Sequence, residues 1–180
     1  DNAGNWIPNY TQAANAEQYF LNNSQINWNA MYIANQNSAD AGKSVYVLYE
    51  DRTDDKVWTA NSILSSQLAD NINMNAGATF RKLVSHNFAN VLDLLGGQYY
   101  QDYDNFQVGS EQQSDLNNPN RNVVVGDTFA YNYNLLANTA DAFTQFKFTY
   151  KKIDFYLAQS FARTQYQREG LYRNGLYPTN

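Results

Sequence analysis

The sequence predicts an all-β chain: an antiparallel transmembrane β-barrel segment of about four long strands, with long external loops that carry short helices. Three observations predict it. Residues 143–166, FTQFKFTYKKIDFYLAQSFARTQY, alternate apolar and polar side chains for roughly ten residues on each side of a polar centre, the period of two strands. Residues 71–81 repeat that pattern, with Ile72, Met74, Ala76, Ala78 and Phe80 set against Asn71, Asn73, Asn75, Thr79 and Arg81. Finally, turns of two or three residues at 69–71 and 150–152 alternate with connections of roughly forty residues, as in barrels with short turns at one rim and long loops at the other.

Taken in order, residues 1–55 read as an external loop with short helices and one short strand. Thr11 is placed to cap a helix carrying Ala14, Ala16, Tyr19 and Phe20. Asn27 is placed to cap a second, on which Trp28, Met31 and Tyr32 fall at i, i+3 and i+4. Residues 44–50, SVYVLYE, read as the short strand, ended by the charged turn DRTDDK. Residues 56–82 form the first long hairpin. Residues 83–127 read as a second external loop, with His86 at its edge and a helix capped by Asn87, carrying Phe88, Val91, Leu92 and Leu95 and stopped at Gly96-Gly97. Residues 128–167 form the second hairpin, turning at Lys151-Lys152, and residues 168–180 a final loop. Within 128–150 the apolar residues change parity, from Phe129, Tyr131, Tyr133 and Leu135 to Phe146, Phe148 and Tyr150; a β-bulge near residues 138–142 would reconcile them.

Composition excludes several classes. The 180 residues include 15 Tyr and 10 Phe but only 2 Met and no Cys. No apolar run approaches the ~20 residues of a membrane helix. The absence of Cys rules out a disulfide framework. A net charge of −5 and a pI near 4.7 speak against nucleic acid, which needs a basic stripe. The mean hydropathy of −0.64 fits strands that alternate aromatic with neutral polar residues. The chain begins at Asp1 with neither Met nor signal peptide, which reads as a processed or excised product.

Catalytic and metal chemistry find little footing. A nucleophilic triad needs a His oriented by an acid, and the single His86 is read as a surface residue. Asp51, Asp54 and Asp55, or Asp102 and Asp104, offer oxygen ligands without the glycine turn and terminal Glu of an EF-hand. Asp154 and Glu169 form no glycosidase pair. The expectation is a non-enzyme with no cofactor, no catalytic residue and no metal site.

Two groups of residues stand out for binding. Parity assigns Asn73, Asn75, Thr79, Arg81, Gln145, Lys147, Ser160 and Arg163 to the wet interior of a barrel, with Gln159 a polar misfit on the lipid side. Gly77, on the interior face, leaves room for an inserted segment. In the second loop Tyr99, Tyr100, Tyr103 and Phe106 stand beside Asp102 and Asp104, aromatics with acids of the kind that contact sugars, peptides or cations. A secreted carbohydrate-binding module, using Trp6, Trp28, Tyr99, Tyr100 and Tyr103, is the alternative, and a passive porin is another.

The run AFTQFKFTYKKIDFYLAQSF followed by YQREGLYRNG resembles the barrel of TonB-dependent outer-membrane receptors, especially the large subgroup with a carboxypeptidase-regulatory-like N-terminal domain. INWNAMYIAN, VLYEDRTDDKVWTANS and FANVLDLLGG resemble loop and strand stretches of the same subgroup. The resemblance implies a 22-stranded barrel with an internal plug, in the outer membrane of a Gram-negative bacterium, importing a scarce ligand. It implies as partners the TonB complex, the protein's own plug domain, outer-membrane lipid and a surface lipoprotein. No plug, TonB box or closing strand is visible, so the expectation is an internal barrel fragment.

Overall fold

The computed structural model describes residues 9–179. Helix α1 (Tyr10–Asn22) is capped by Asn9, whose side chain accepts from the Gln12 amide at 3.0 Å; Thr11, the expected cap, lies inside the first turn. Helix α2 (Trp28–Gln36) starts at Asn27 as expected, the side-chain oxygen accepting from the Ala30 amide at 3.0 Å. It is pinned through buried Asn35. The Asn35 amide donates to the carbonyls of Tyr46 and Leu94, both at 2.8 Å, and its oxygen accepts from the amides of Val45 and Tyr46. One side chain thus supplies backbone partners to two connections that have no ladder of their own.

Strand β1 (Leu48–Ala69) and strand β2 (Ile72–Asp93) form one antiparallel hairpin about Asp70-Asn71. Two short strands, β3 (Tyr100–Gln101) and β4 (Asn122–Val123), pair inside the following connection. Strand β5 (Thr128–Tyr150) and strand β6 (Ile153–Gly170) form the second hairpin about Lys151-Lys152. The long strands make one antiparallel sheet in the order β1-β2-β5-β6, which does not close on itself. The antiparallel β architecture and the two turns are as the alternation predicts, whereas the strands run far past the expected hairpins.

Three expectations are corrected. DRTDDK is not a turn: residues 51–56 lie within β1, where residues two apart share a face. Arg52 there meets Asp54 at 2.9 Å and Glu50 at 3.6 Å, so part of the charge run is paired along one strand face. The helix expected after Asn87 is the upper part of β2, paired to β1 on one side and β5 on the other. The connection therefore spans only 94–127, and His86 is half-buried within a strand, its Nε2 2.6 Å from Asn132 Oδ1. The bulge lies elsewhere as well. Pairing is unbroken through 138–142, and the register slips between Phe88 and Ala89, opposite Ala130 and Tyr131, with Ala130 at φ 60°.

The buried core sits at one end of the sheet. Ala89, Val91, Leu94, Val123 and Phe129 gather where the connection folds back over the strands, with Tyr100 and Tyr49 meeting the Phe129 ring edge-on. The rest of the sheet is a single layer, in which Ile63 is 74% and Phe161 70% exposed.

Candidate functional site: two sheet faces and a loop cleft

Cross-strand partners share a face, so the register sorts every side chain of the sheet. From the turns up to Phe80, one face carries the rungs Ile72–Phe148–Phe155, Ser66–Met74–Phe146–Leu157, Leu64–Ala76–Thr144–Gln159 and Ser62–Ala78–Ala142–Phe161. Aromatics cluster at its lower edge, Phe148 stacking on Phe155 at 4.6 Å and Tyr150 on Phe155 at 6.2 Å. The opposite face is mainly polar, with Gln67–Asn73–Lys147–Tyr156, Ser65–Asn75–Gln145–Ala158 and Asn61–Thr79–Asp141–Ala162, but it also carries the rung Ile63–Gly77–Phe143–Ser160.

Above Phe80 both faces become mixed in character. The apolar face continues as Trp58–Lys82–Asn138–Gln165, then Lys56–Val84–Leu136–Gln167 and Asp54–His86–Asn134–Glu169. The polar face continues as Thr59–Arg81–Thr139–Thr164 and Val57–Leu83–Ala137–Tyr166, then Asp55–Ser85–Leu135–Arg168 and Thr53–Asn87–Tyr133–Gly170. Within β5 the apolar side chains move from the face of Phe146 and Phe148 to that of Leu135 and Tyr133 while pairing stays unbroken, so no bulge is needed at 138–142.

Of the residues expected to face an interior, Asn73, Asn75, Thr79, Arg81, Gln145, Lys147 and Ser160 share the polar face. Arg163 does not. It pairs with Ala140, which pairs with Phe80, and so tops the apolar face alongside Phe161. Gln159 lies on the apolar face as expected. Gly77 leaves no opening: the Phe143 ring covers it, and a Cβ there would stand 2.4 Å from Phe143 Cε1.

The connection over the core encloses a cleft of about 540 Å³ lined by Tyr100, Asp102, Tyr103, Asp104 and Phe106, five of the six loop residues the sequence singles out. Tyr99 stands apart, its carbonyl accepting from the Ser44 amide at 2.7 Å. The five differ in what they have left to offer. Asp102, 3% exposed, accepts from Arg121 and from the Ala130 amide, both at 2.8 Å, and is a strut. Arg121 also donates to the Thr128 carbonyl and, at 2.7 Å, to Tyr172, whose ring it overlies. Burial works against the Arg121 charge, but Tyr172 and Asp102 together raise its pKa. Burial, followed by the Asp102 charge, raises the Tyr100 hydroxyl and keeps it protonated. Tyr103 is tethered, accepting from Lys43 Nζ at 2.8 Å. Asp104 caps its turn by accepting from the Phe106 amide at 2.9 Å, and Phe106 is 94% exposed. Asp104 and Phe106 are therefore the two left open to solvent, beside a scaffold of Asp102, Arg121 and Tyr100.

The sequence reading misses the groups that complete the cleft: Tyr49, Phe129, Leu176 and Tyr177. The last two arrive because residues 171–179 fold under the connection, where Leu116 donates to the Arg173 carbonyl at 2.7 Å and Gly175 to that of Gln113 at 2.8 Å. A Cβ on Gly175 would stand 2.0 Å from the Ser110 carbonyl oxygen, so the glycine in YRNGLYP marks this close approach. Asp115 accepts from the Arg173 amide at 3.1 Å and from Asn118 at 2.7 Å. Burial disfavours its charge, yet these donors hold its pKa below the ordinary carboxylate value. Of the alternative sugar-contact residues, Trp28 lies on α2 and Trp6 falls outside the described residues. The Asp51, Asp54 and Asp55 set is divided, Asp54 on one face and the other two on the opposite one.

No protein-family model matches the chain, and no curated protein sequence matches it.

Proposed function

We propose that this chain is part of the transmembrane barrel of a TonB-dependent outer-membrane importer. The apolar face from Ile72 to Phe80, left open on a single-layer sheet, carries the reading. A soluble antiparallel sheet packs its apolar face on a core. A barrel strand instead turns its apolar face to lipid over a band about 25 Å tall. The apolar stretch from Ile72 to Phe80, at roughly 3.4 Å per residue and tilted about 35–45°, stands roughly 20–25 Å tall, the height of the lipid band of a barrel. Phe148, Tyr150 and Phe155 at one edge and Trp58 and Phe80 at the other match the two aromatic girdles such barrels carry.

The unpaired outer edges of β1 and β6 are satisfied in this reading by neighbouring strands of the same barrel. The polar face lines the interior against a plug. The cleft of Asp104, Phe106 and Tyr177 faces outside, on the long-loop side, as a contact point for the imported ligand or a surface lipoprotein. Active import is the function implied by the receptor resemblance, and it is tested by energy dependence. Uptake of the ligand by cells carrying the protein should fall to background when TonB is removed, with the protein still in the outer-membrane fraction. Uptake that persists without TonB would make it a passive porin, and recovery of the protein from the soluble fraction would overturn the barrel itself.

A further inference from the structure

The cleft over the core is built by two facing backbone segments. The Asp104 amide donates to the Gln112 carbonyl at 2.7 Å, and Tyr103 bridges antiparallel to Gln113. This pairing sets Asp104 beside the short helical turn Gly109–Gln112, which carries Glu111, and both carboxylates line the one cavity of about 540 Å³. Neither forms an ion pair among the described residues. No Lys or Arg lines the cavity, and Asp102, the third acid in it, is already paired with Arg121 at 2.8 Å. Lys43 lines a neighbouring cavity instead, where Gln101 and Tyr103 hold it. Six aromatic side chains share the lining, of which Phe106 is 94% and Tyr177 59% exposed. Ser114 points to a ligand independently. It is 7% exposed and lines the cleft, yet its hydroxyl has no hydrogen-bond partner among the described residues.

The lining thus combines uncompensated negative charge with aromatic faces, the two features that attract an organic cation. A neutral ligand covering the cleft would strip water from two unpaired carboxylates, and an anion would be repelled by them. We infer that the cleft recognises a small solute bearing an alkylammonium group, the ammonium held by Asp104 and Glu111 against the rings of Phe106 and Tyr177, with the Ser114 hydroxyl bonding the polar body of the solute. A free amine and the N-terminus of a short peptide share this chemistry. The cavity falls within the roughly 300–1,000 Å³ of small-ligand sites. The inference rests on the reading of this cleft as the external contact point and deepens it by naming the chemistry of the ligand.

The probes are hexylamine, its uncharged counterpart hexanol, and trialanine with a free or an acetylated N-terminus, each titrated calorimetrically into the intact protein. Hexylamine should bind roughly tenfold more tightly than hexanol, and free trialanine than acetylated trialanine, the effect of one charge-assisted hydrogen bond. A preference confined to hexylamine would assign the site to free amines, and one confined to trialanine would assign it to peptides. Asp104→Asn with Glu111→Gln should bring the preference to within about twofold. Asn can still accept from the Phe106 amide, so the turn is kept. Asp70→Asn, at the turn between β1 and β2, should leave the preference unchanged. Ser114→Ala should weaken free trialanine by roughly fivefold without changing its ratio to the acetylated form, and no weakening would remove the hydroxyl from the site. Equal binding of charged and uncharged probes, or a preference that survives the double substitution, would overturn the amine site while leaving TonB-dependent uptake untouched. An amine preference in a protein whose uptake persists without TonB would leave the site standing and overturn the import reading.

Discussion

Gly77 shows how a single residue is legible in type and illegible in reason. A glycine inside an alternating strand marks a close approach, and that much follows from the sequence. Its partner is Phe143, on the neighbouring strand, whose ring occupies the space a side chain would take. Covering a strand glycine with a cross-strand aromatic restores contact that glycine lacks. In the parent protein Gly77→Ala should destabilise by about 1 kcal/mol, because the ring must move. In a Phe143→Ala background the same change should be neutral or stabilising, since alanine lacks the conformational freedom glycine loses on folding. Urea midpoints of the four proteins measure the coupling, and additivity would show that the ring is not what reserves the position for glycine. Asp102 teaches the complementary lesson. Its sequence neighbours mark it as a ligand contact, but its lone pairs go to Arg121 and Ala130, an allocation that depends on which chain segments meet.

At the scale of elements, what local chemistry decides was legible and what pairing decides was not. The Asn27 cap, the turn at Lys151-Lys152 and the lower halves of all four long strands follow from side chains close in sequence. Residues 83–93 space Phe88, Val91, Leu92 and Leu95 in a way that suits a helix, yet β1 and β5 on either side hold this segment extended. Likewise 51–56 reads as a turn until Arg52 is seen between Glu50 and Asp54 on one strand face. Depth along a strand yields a quantitative expectation. Ala76 is midway between Ile72 and Phe80, whereas Phe148 pairs with Ile72 at the edge. In a bilayer a charge costs roughly 2–4 kcal/mol at mid-depth and about 0–1 near an interface. Ala76→Arg should therefore destabilise the vesicle-embedded protein more than Phe148→Arg, as read from urea midpoints. A face buried in a water-soluble core would reverse the order, because losing a buried Phe costs roughly 3–5 kcal/mol.

Among the described residues the long strands form a single-layer sheet with its buried core at one end, so most of the sheet's apolar surface is left for something outside the described residues to cover. The strand alternation and the two tight turns show in the sequence; the level at which the apolar face ends emerges only from the register. That level is the central claim. Single cysteines at each position from Ile72 to Leu83, in the membrane-embedded protein, would be challenged with a lipid-phase and a water-phase thiol reagent. The account predicts lipid-phase labelling at Ile72, Met74, Ala76 and Ala78, water-phase labelling at Asn73, Asn75 and Thr79, and loss of lipid-phase labelling from Lys82 upward. Lipid-phase labelling on the Asn73 and Asn75 face, or uniform water-phase labelling from Ile72 to Leu83, would contradict it.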